Sequence, residues 1–309
     1  MTLCLVTGGA GFIGSHLVEA LVERGARVRV LDDFSTGRRE NLAAVADHIE
    51  LREGDVTHMK TVERAVAGCD CVLHLAAIAS VQASLEQPRR THRVNVDGTL
   101  NVLEAARQAG ARRVVFASST ALYGDHTALP LREALPPHPL SPYAAGKAAG
   151  EAYCRAFHAS YGLPTVALRF FNVYGPRQDP SNPYSGVISI FTARMTRGER
   201  PVIYGDGEQT RDFVYITDAI RAMVLACERE EAIGSVLNVA CGKQTSILQL
   251  AAALNQVLGT NLTPTFAPAR SGEVRFSEGD ARRARELLGW EAQVRLQEGL
   301  SRLVQAEYR

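Results

Sequence analysis

Tyr143 and Lys147 stand four residues apart in the run Ser141-Pro142-Tyr143-Ala144-Ala145-Gly146-Lys147. On a helix that spacing puts both side chains on one face, so one cleft can receive both. The pairing suits proton abstraction. A free phenol titrates near ~10 and is a poor base at neutral pH, whereas a neighbouring ammonium stabilises the phenolate. Bringing the phenol to neutrality asks for roughly three pKa units, about 4 kcal/mol of differential stabilisation. The spacing alone also describes an ordinary surface pair, so its meaning depends on what precedes it. Ser118, Ser119 and Thr120 follow the apolar run 114–117, which reads as a buried strand. In a parallel sheet the ligand crevice lies outside the strand carboxyl ends, and a hydroxyl placed there can relay a proton to Tyr143.

A second constellation lies at the N-terminus. The apolar run 3–7 leads into Gly8-Gly9-Ala10-Gly11-Phe12-Ile13-Gly14, and a helical pattern follows. Glycines at 8, 11 and 14 let backbone N–H groups and a helix N-terminus approach a pyrophosphate that Cβ atoms would obstruct. Alone, the loop is also compatible with a generic strand–turn–helix. Asp32, 18 residues beyond Gly14 at the end of the second apolar run, adds a carboxylate suited to adenosine ribose hydroxyls and hostile to a 2′-phosphate, which favours NAD over NADP. Asp33 can share that role. Arg38 and Arg39 read as solvated charge, and Asp55 either reaches the adenine amino group or serves as a turn aspartate.

The elements that must position these groups follow an alternating rhythm. Residues 3–7, 28–31, 49–52, 71–75, 114–117 and 166–170 read as strands buried on both faces. Residues 12–24, 60–67, 91–108 and 144–161 between them read as helices. This predicts an α/β fold, a doubly wound parallel-sheet Rossmann domain over residues 1–170. Residues 171–309 are expected to form mainly a smaller C-terminal α/β lobe for the substrate, with segments able to return to the sheet. Helices are expected there at 186–197, 216–227, 247–258 and 281–288, and strands at 202–204 and 236–239.

Composition narrows the classes. The chain of 309 residues is 46% hydrophobic and 22% charged with a net charge of +1, which offers no basic stripe for nucleic acid or an anionic membrane. No apolar stretch approaches the ~18–20 residues of a membrane span, and the glycine loop interrupts the N-terminal apolar run, so no secretory signal is expected. The six cysteines match no zinc or redox spacing. No metal site and a reducing, cytoplasmic setting are expected.

TGGAGFIGSH at 7–16, LHLAA at 73–77, NVDGT at 95–99, SSTALYG at 118–124, YAAGK at 143–147, RFFNVYG at 169–175 and RDFVYITD at 211–218 resemble the extended short-chain dehydrogenase/reductases. Within them they are most similar to the UDP-sugar 4-epimerases, and the likeness covers essentially the whole chain. It implies a Ser119–Tyr143–Lys147 catalytic set with Tyr143 as base. It implies NAD contacts from Gly8, Gly11, Phe12, Ile13, Gly14, Asp32, Asp33, Asp55 and Val56, then from Leu75, Ala76, Ala77, Asn95, Tyr143 and Lys147. For a UDP-sugar it implies Ser119, Thr120, Tyr143, Asn172, Arg211, Arg270 and Ser277, the arginines gripping the diphosphate bidentately; each arginine also has a bland reading as a surface salt bridge. The implied reaction oxidises the sugar at C4 and re-reduces it on the other face, leaving NAD as it began. A homodimer joining helices near 91–108 and 144–161 is implied as well, with Leu100, Leu103, Phe157 and Tyr161 either serving it or packing on the sheet.

Departures from the family pattern sharpen the expectation. Related 4,6-dehydratases carry Asp-Glu after the catalytic hydroxyl, whereas this chain has Thr120-Ala121. Relatives acting on UDP-glucuronate often place an arginine where this chain has Asp179. Tyr215 stands where a histidine is frequent and is expected to pack. Ser277 matches a position where a small residue leaves room for a 2-acetamido group, so UDP-GlcNAc/UDP-GalNAc is expected, with UDP-glucose/UDP-galactose also open. The competing readings are another nucleotide-sugar enzyme on the same scaffold, which would change substrate mass, and a non-catalytic NAD-binding regulator, which would need no intact hydroxyl–Tyr–Lys set.

Overall fold

The computed structural model describes residues 2–180, 186–269 and 274–308. Six strands of the first half, β1 (Leu3–Thr7), β2 (Arg27–Asp32), β3 (Ile49–Glu53), β4 (Cys71–His74), β5 (Arg113–Ser119) and β6 (Thr165–Phe170), lie parallel. The second half contributes the short strands β7 (Asn172–Tyr174), β8 (Val202–Tyr204), β9 (Thr210–Arg211), β10 (Phe213–Tyr215), β11 (Val236–Val239), β12 (Thr245–Ser246) and β13 (Thr265–Ala267). Of these, β11 returns to the main sheet beside β6, giving the seven-stranded order β11-β6-β5-β4-β1-β2-β3. The fold is a doubly wound Rossmann sheet. The remaining short strands form three pairs, β7 with β10, β9 with β12 and β8 with β13.

Alternation explains the two layers. Successive side chains of a strand point to opposite faces, and here both faces are apolar. Leu5, Val72, Val114 and Phe116 pack with Val62, Val102 and Leu103 on one side. Val6, Leu73, Val115 and Leu168 pack with Leu17, Leu21 and Met223 on the other, a cluster that continues into the second half through Tyr174, Val214, Leu254 and Leu300. Strand β3 departs from the expected double burial. It pairs only with β2 at the sheet edge, Leu51 is exposed, and its acids face arginines in the pairs Arg29–Glu50 and Arg39–Glu53.

The single helix expected over 91–108 is divided. A short helix Pro88–His92 passes through a wide π turn, Arg93–Asp97, into helix Gly98–Gln108. Helix Pro142–Tyr161 starts where its sequence directs: the Ser141 hydroxyl accepts the Ala144 N–H, Pro142 occupies the first turn, and Gly162 ends the helix at φ 68°. No helix among the described residues is long and apolar enough to cross a membrane.

Candidate active site

The strand order reverses between β1 and β4 while all the strands stay parallel. The connections run outward through β2 and β3 and then return to the other side of β1, the arrangement that opens a crevice at the carboxyl ends of the strands. Gly8, at φ 70°, leaves β1 so tightly that a Cβ there would lie 2.7 Å from the Ala76 nitrogen, and one on Gly14 would lie 2.1 Å from the Gly8 oxygen. Helix Phe12–Glu23 begins at Gly11 with no capping side chain and no acid in its first turn. Its leading N–H groups therefore face the crevice without a protein anion, a cradle suited to a pyrophosphate. Phe12 and Ile13 form that first turn.

Asp32 is buried at the end of β2, where its carboxylate accepts the N–H groups of Ala10 at 2.8 Å and Phe34 at 2.9 Å. Burial pushes its carboxyl up, and the two N–H groups pull it back. Each carboxylate oxygen keeps lone pairs beyond those it uses, so Asp32 can shape the loop and still accept ribose hydroxyls. Asp33 turns away to the solvent side and binds Ser35. Asp55 accepts the Thr57 N–H at 2.8 Å, a turn aspartate at the end of β3, and Val56 is buried against Gly98. This set fits a dinucleotide.

Leu75, Ala76 and Ala77 follow β4, and the first two border Gly8. Asn95 sits in the π turn with its amide already engaged: its oxygen accepts the Ile78 N–H at 2.8 Å and its NH₂ donates to the Ile78 carbonyl at 3.1 Å. The structure thus spends the Asn95 side chain on the loop that follows Ala77. His74 supports the same loop. Its ring bridges the Thr7 hydroxyl at 2.7 Å and the Thr99 hydroxyl at 3.0 Å, and Thr7 in turn accepts the Ala76 N–H. Because Thr99 donates to the Asn95 carbonyl, the consistent assignment is a neutral imidazole protonated on Nε2. Burial holds its pKa down at about 3.

Ser119, Tyr143 and Lys147 come together. Ser119 ends β5, with its hydroxyl near enough to the Tyr143 phenol to favour the phenolate. Lys147 is buried, its Nζ donating 2.7 Å to the Ala117 carbonyl and lying 5.9 Å from the centre of the Tyr143 ring. Burial lowers the lysine to about 8. The phenol itself is pushed up by burial, with Ser119 pulling the other way. The lowering that a tyrosine base requires is therefore not supplied by these protein groups alone. Thr120 opens the short turn after β5.

Beneath the pair lies a buried ion pair that the sequence reading did not identify. Glu151, one helical turn past Lys147, receives Arg169 from β6 through two bonds of 2.9 and 2.8 Å and the Ser118 hydroxyl at 2.5 Å. Arg169 also covers the Tyr123 ring at 4.7 Å, and the Tyr123 hydroxyl donates to Asn238 of β11 at 2.8 Å. The i+4 and i+8 spacing from Lys147 and Tyr143 was the available signal for Glu151.

The candidate substrate side is built from chain segments outside the main sheet. Asn172 is exposed at the start of β7, with its N–H bonded to the Asp212 carbonyl. Arg211 donates to the carbonyls of Thr210 and Val274, both at 2.8 Å. Ser277 is buried, its N–H directed at the Thr210 hydroxyl at 3.3 Å. Arg270 lies outside the described residues. Asp179 pairs with Arg38, so its charge is engaged at the loop beside Ala10 and the argument that it repels a sugar carboxylate gains nothing from this geometry. Tyr215 packs edge-on against Tyr174 at 5.4 Å, as expected of a core residue.

The model of the NAD dependent epimerase/dehydratase family matches residues 4–240. The UDP-glucose 4-epimerase of Mycolicibacterium smegmatis is 43% identical over 305 residues, covering 97% of each chain. The structure of the UDP-glucose 4-epimerase from Thermotoga maritima with UDP-glucose superposes with a TM-score of 0.94 at 41% identity, over 98% of each chain. That of the UDP-N-acetylglucosamine 4-epimerase from Methanobrevibacter ruminantium, in complex with UDP-N-acetylmuramic acid, gives a TM-score of 0.94 at 38% identity, over 98% of this chain and 97% of that one.

Proposed function

The chain belongs to the NAD dependent epimerase/dehydratase family, and from that premise we propose that it is a UDP-sugar 4-epimerase, interconverting UDP-GlcNAc and UDP-GalNAc and accepting UDP-glucose and UDP-galactose. The observation that carries the reading is the meeting of the Ser119 and Tyr143 hydroxyls above a buried Lys147, on a strand end followed by Thr120-Ala121. Tyr143 takes the proton of the sugar 4-hydroxyl, and Ser119 holds that oxygen and steadies the phenolate by donating to it. Lys147, fixed by the Ala117 carbonyl, contributes its charge from below. When bound, NAD⁺ supplies the hydride acceptor and a positive ring charge beside the phenol. With no carboxylate at 120 or 121, the chain has no acid–base pair there to expel water from the sugar, so the oxidised carbon is reduced again.

Ser277 supports the broad specificity, since a buried serine occupies little volume and one pocket side chain shifts discrimination by only ~1–3 kcal/mol. Product analysis after incubation with UDP-GlcNAc and with UDP-glucose tests the reading. Epimerisation conserves mass, whereas dehydration or decarboxylation lowers it and would replace this reading with the alternative. Tyr143→Phe is expected to lower kcat by roughly 10²–10⁴-fold while retaining cofactor; full activity in that variant refutes the mechanism. Ser277→Tyr is expected to lose the N-acetylated pair selectively, and equal loss of both pairs discards the pocket argument.

The proposal extends to a homodimer through helices Gly98–Gln108 and Pro142–Tyr161. Leu103 and Phe157 are buried in the protein's own core and Leu100 is half-buried, while Tyr161 is 59% exposed with Arg107 stacked on its ring, so Tyr161 is the most exposed of the four. Light scattering of wild type and Tyr161→Ser reads this out.

A further inference from the structure

We propose that Asp212 is the positioning residue of the nucleotide-sugar half-site, a buried anion that draws three separate chain segments together around the substrate diphosphate and sugar. The inference rests on the epimerase reading above. Asp212 lies between β9 and β10 and is fully buried. One carboxylate oxygen accepts the Cys241 N–H at 2.8 Å, and the other accepts the N–H groups of Gly242, Lys243 and Gly279 at 2.9, 3.3 and 3.1 Å. Its own carbonyl accepts the Asn172 N–H at 2.9 Å. Among the described residues no cation pairs with it, so backbone amides alone carry the compensation, the arrangement of an anion-holding nest turned inward on a side chain.

The segments it gathers are those that carry the candidate substrate residues. Arg211 is its neighbour in the chain, Asn172 hangs from its carbonyl, and Gly279 lies two residues past Ser277. Gly279 has no room for any side chain, since a Cβ would fall 2.4 Å from the Ala240 Cβ and 2.5 Å from the Phe171 ring. The Ser277 segment can therefore rest in this place only while Gly279 stays pressed between the residues before Asn172 and before Cys241. Without the carboxylate, four N–H donors from two loops lose their acceptor at once, and buried donors do not remain unpaired without moving. The cofactor crevice lies on other strand ends and shares none of these bonds.

The test measures UDP binding to the NAD-loaded enzyme by calorimetry, together with NAD affinity and steady-state kinetics. Asp212→Ala is expected to weaken UDP on the order of tenfold or more with NAD affinity unchanged. Asp212→Asn retains one acceptor oxygen and is expected to raise KM for the UDP-sugar by less, with kcat retained, which keeps the inference open to test if the alanine variant does not fold. Unchanged UDP affinity in either folded variant overturns the proposal, as does a parallel fall in NAD and UDP affinity. If the wild-type enzyme binds neither UDP nor a UDP-sugar, the epimerase reading fails and this inference with it; if wild type and variants bind alike, only this inference fails.

Discussion

Glu151 and Asp212 are both carboxylates buried beneath the site, and the protein neutralises them by different means. Glu151 sits inside a helix, against a β-strand, where nearly every backbone N–H is already spent on the helix or the sheet ladder. It is held by side chains, Arg169 and the Ser118 hydroxyl. Asp212 lies where short strands give way to loops, and there the backbone has N–H groups to offer; four of them converge on it. Within regular structure Glu151 is compensated by side chains, while irregular chain supplies its own partial charges to Asp212. The first arrangement fixes two neighbouring strands to one helix. The second adds the Gly279 segment to pieces of chain that short ladders already join.

The largest effect is expected where the side-chain compensation is removed. Arg169→Met leaves Glu151 buried without its cation and is expected to cost about 3–5 kcal/mol in denaturant unfolding; adding Glu151→Gln to that variant should restore much of it. A cost below about 1 kcal/mol for the single change would show that Glu151 is not dependent on the pair.

Lys147 provides the contrasting case, a buried charge whose direct hydrogen bond is to a neutral carbonyl. Its pKa falls from 10.5 to about 8 on folding. Between those values the unfolded chain holds the proton and the folded chain does not, so stability rises with pH across that window and the penalty is complete below pH 8. Lys147→Met is therefore expected to be more stable than wild type at pH 7, by about 3 kcal/mol, with the advantage shrinking as pH approaches 10. Paired unfolding curves at pH 7 and pH 9.5 check this, and an advantage that does not shrink contradicts it.

Asp212→Asn is expected to destabilise by about 2 kcal/mol, less than Arg169→Met, because one acceptor oxygen remains and loops relax more readily than a helix on a strand. Ser118→Ala, which removes one donor from Glu151 while Arg169 stays, is expected to cost about 1 kcal/mol. If these last two fall in the reverse order, backbone compensation is the weaker device and the contrast between the two carboxylates loses its basis.

Much of this was readable from residues. The glycine loop, Asp32 and the helix-borne Tyr143 and Lys147 declare themselves because each needs a fixed spacing along a single element. The alternation of apolar runs and helical segments pointed to the six parallel strands for the same reason. What escaped depends on contacts between distant segments. Glu151 stood at a legible helical spacing, yet its partner Arg169 comes from the next strand. Asp212 appears in sequence only as the residue after a more conspicuous arginine. Asn95 stands in a motif whose family resemblance implies a cofactor contact, and only the fold reveals that its amide also bonds Ile78. Position within the sheet is likewise collective, although the charges Glu50, Arg52 and Glu53 in residues 49–53 already suit β3 to an edge.

The return of β11 to the sheet has a consequence for how the chain comes to be folded. Strand β6 ends at Phe170, yet the neighbour that covers its outer edge begins at Val236, after four short strands and two α-helices of the second half have emerged. Until then β6 presents an unpaired row of backbone groups flanked by apolar side chains, the kind of edge that recruits other chains. A pairing so distant in sequence also forms slowly, since a long loop must close before it contributes. A fragment ending at residue 170 should accordingly aggregate in sedimentation, whereas one ending after Val239 should stay dispersed for longer. The nascent chain carries this open edge after Tyr143 and Lys147 have already been synthesised.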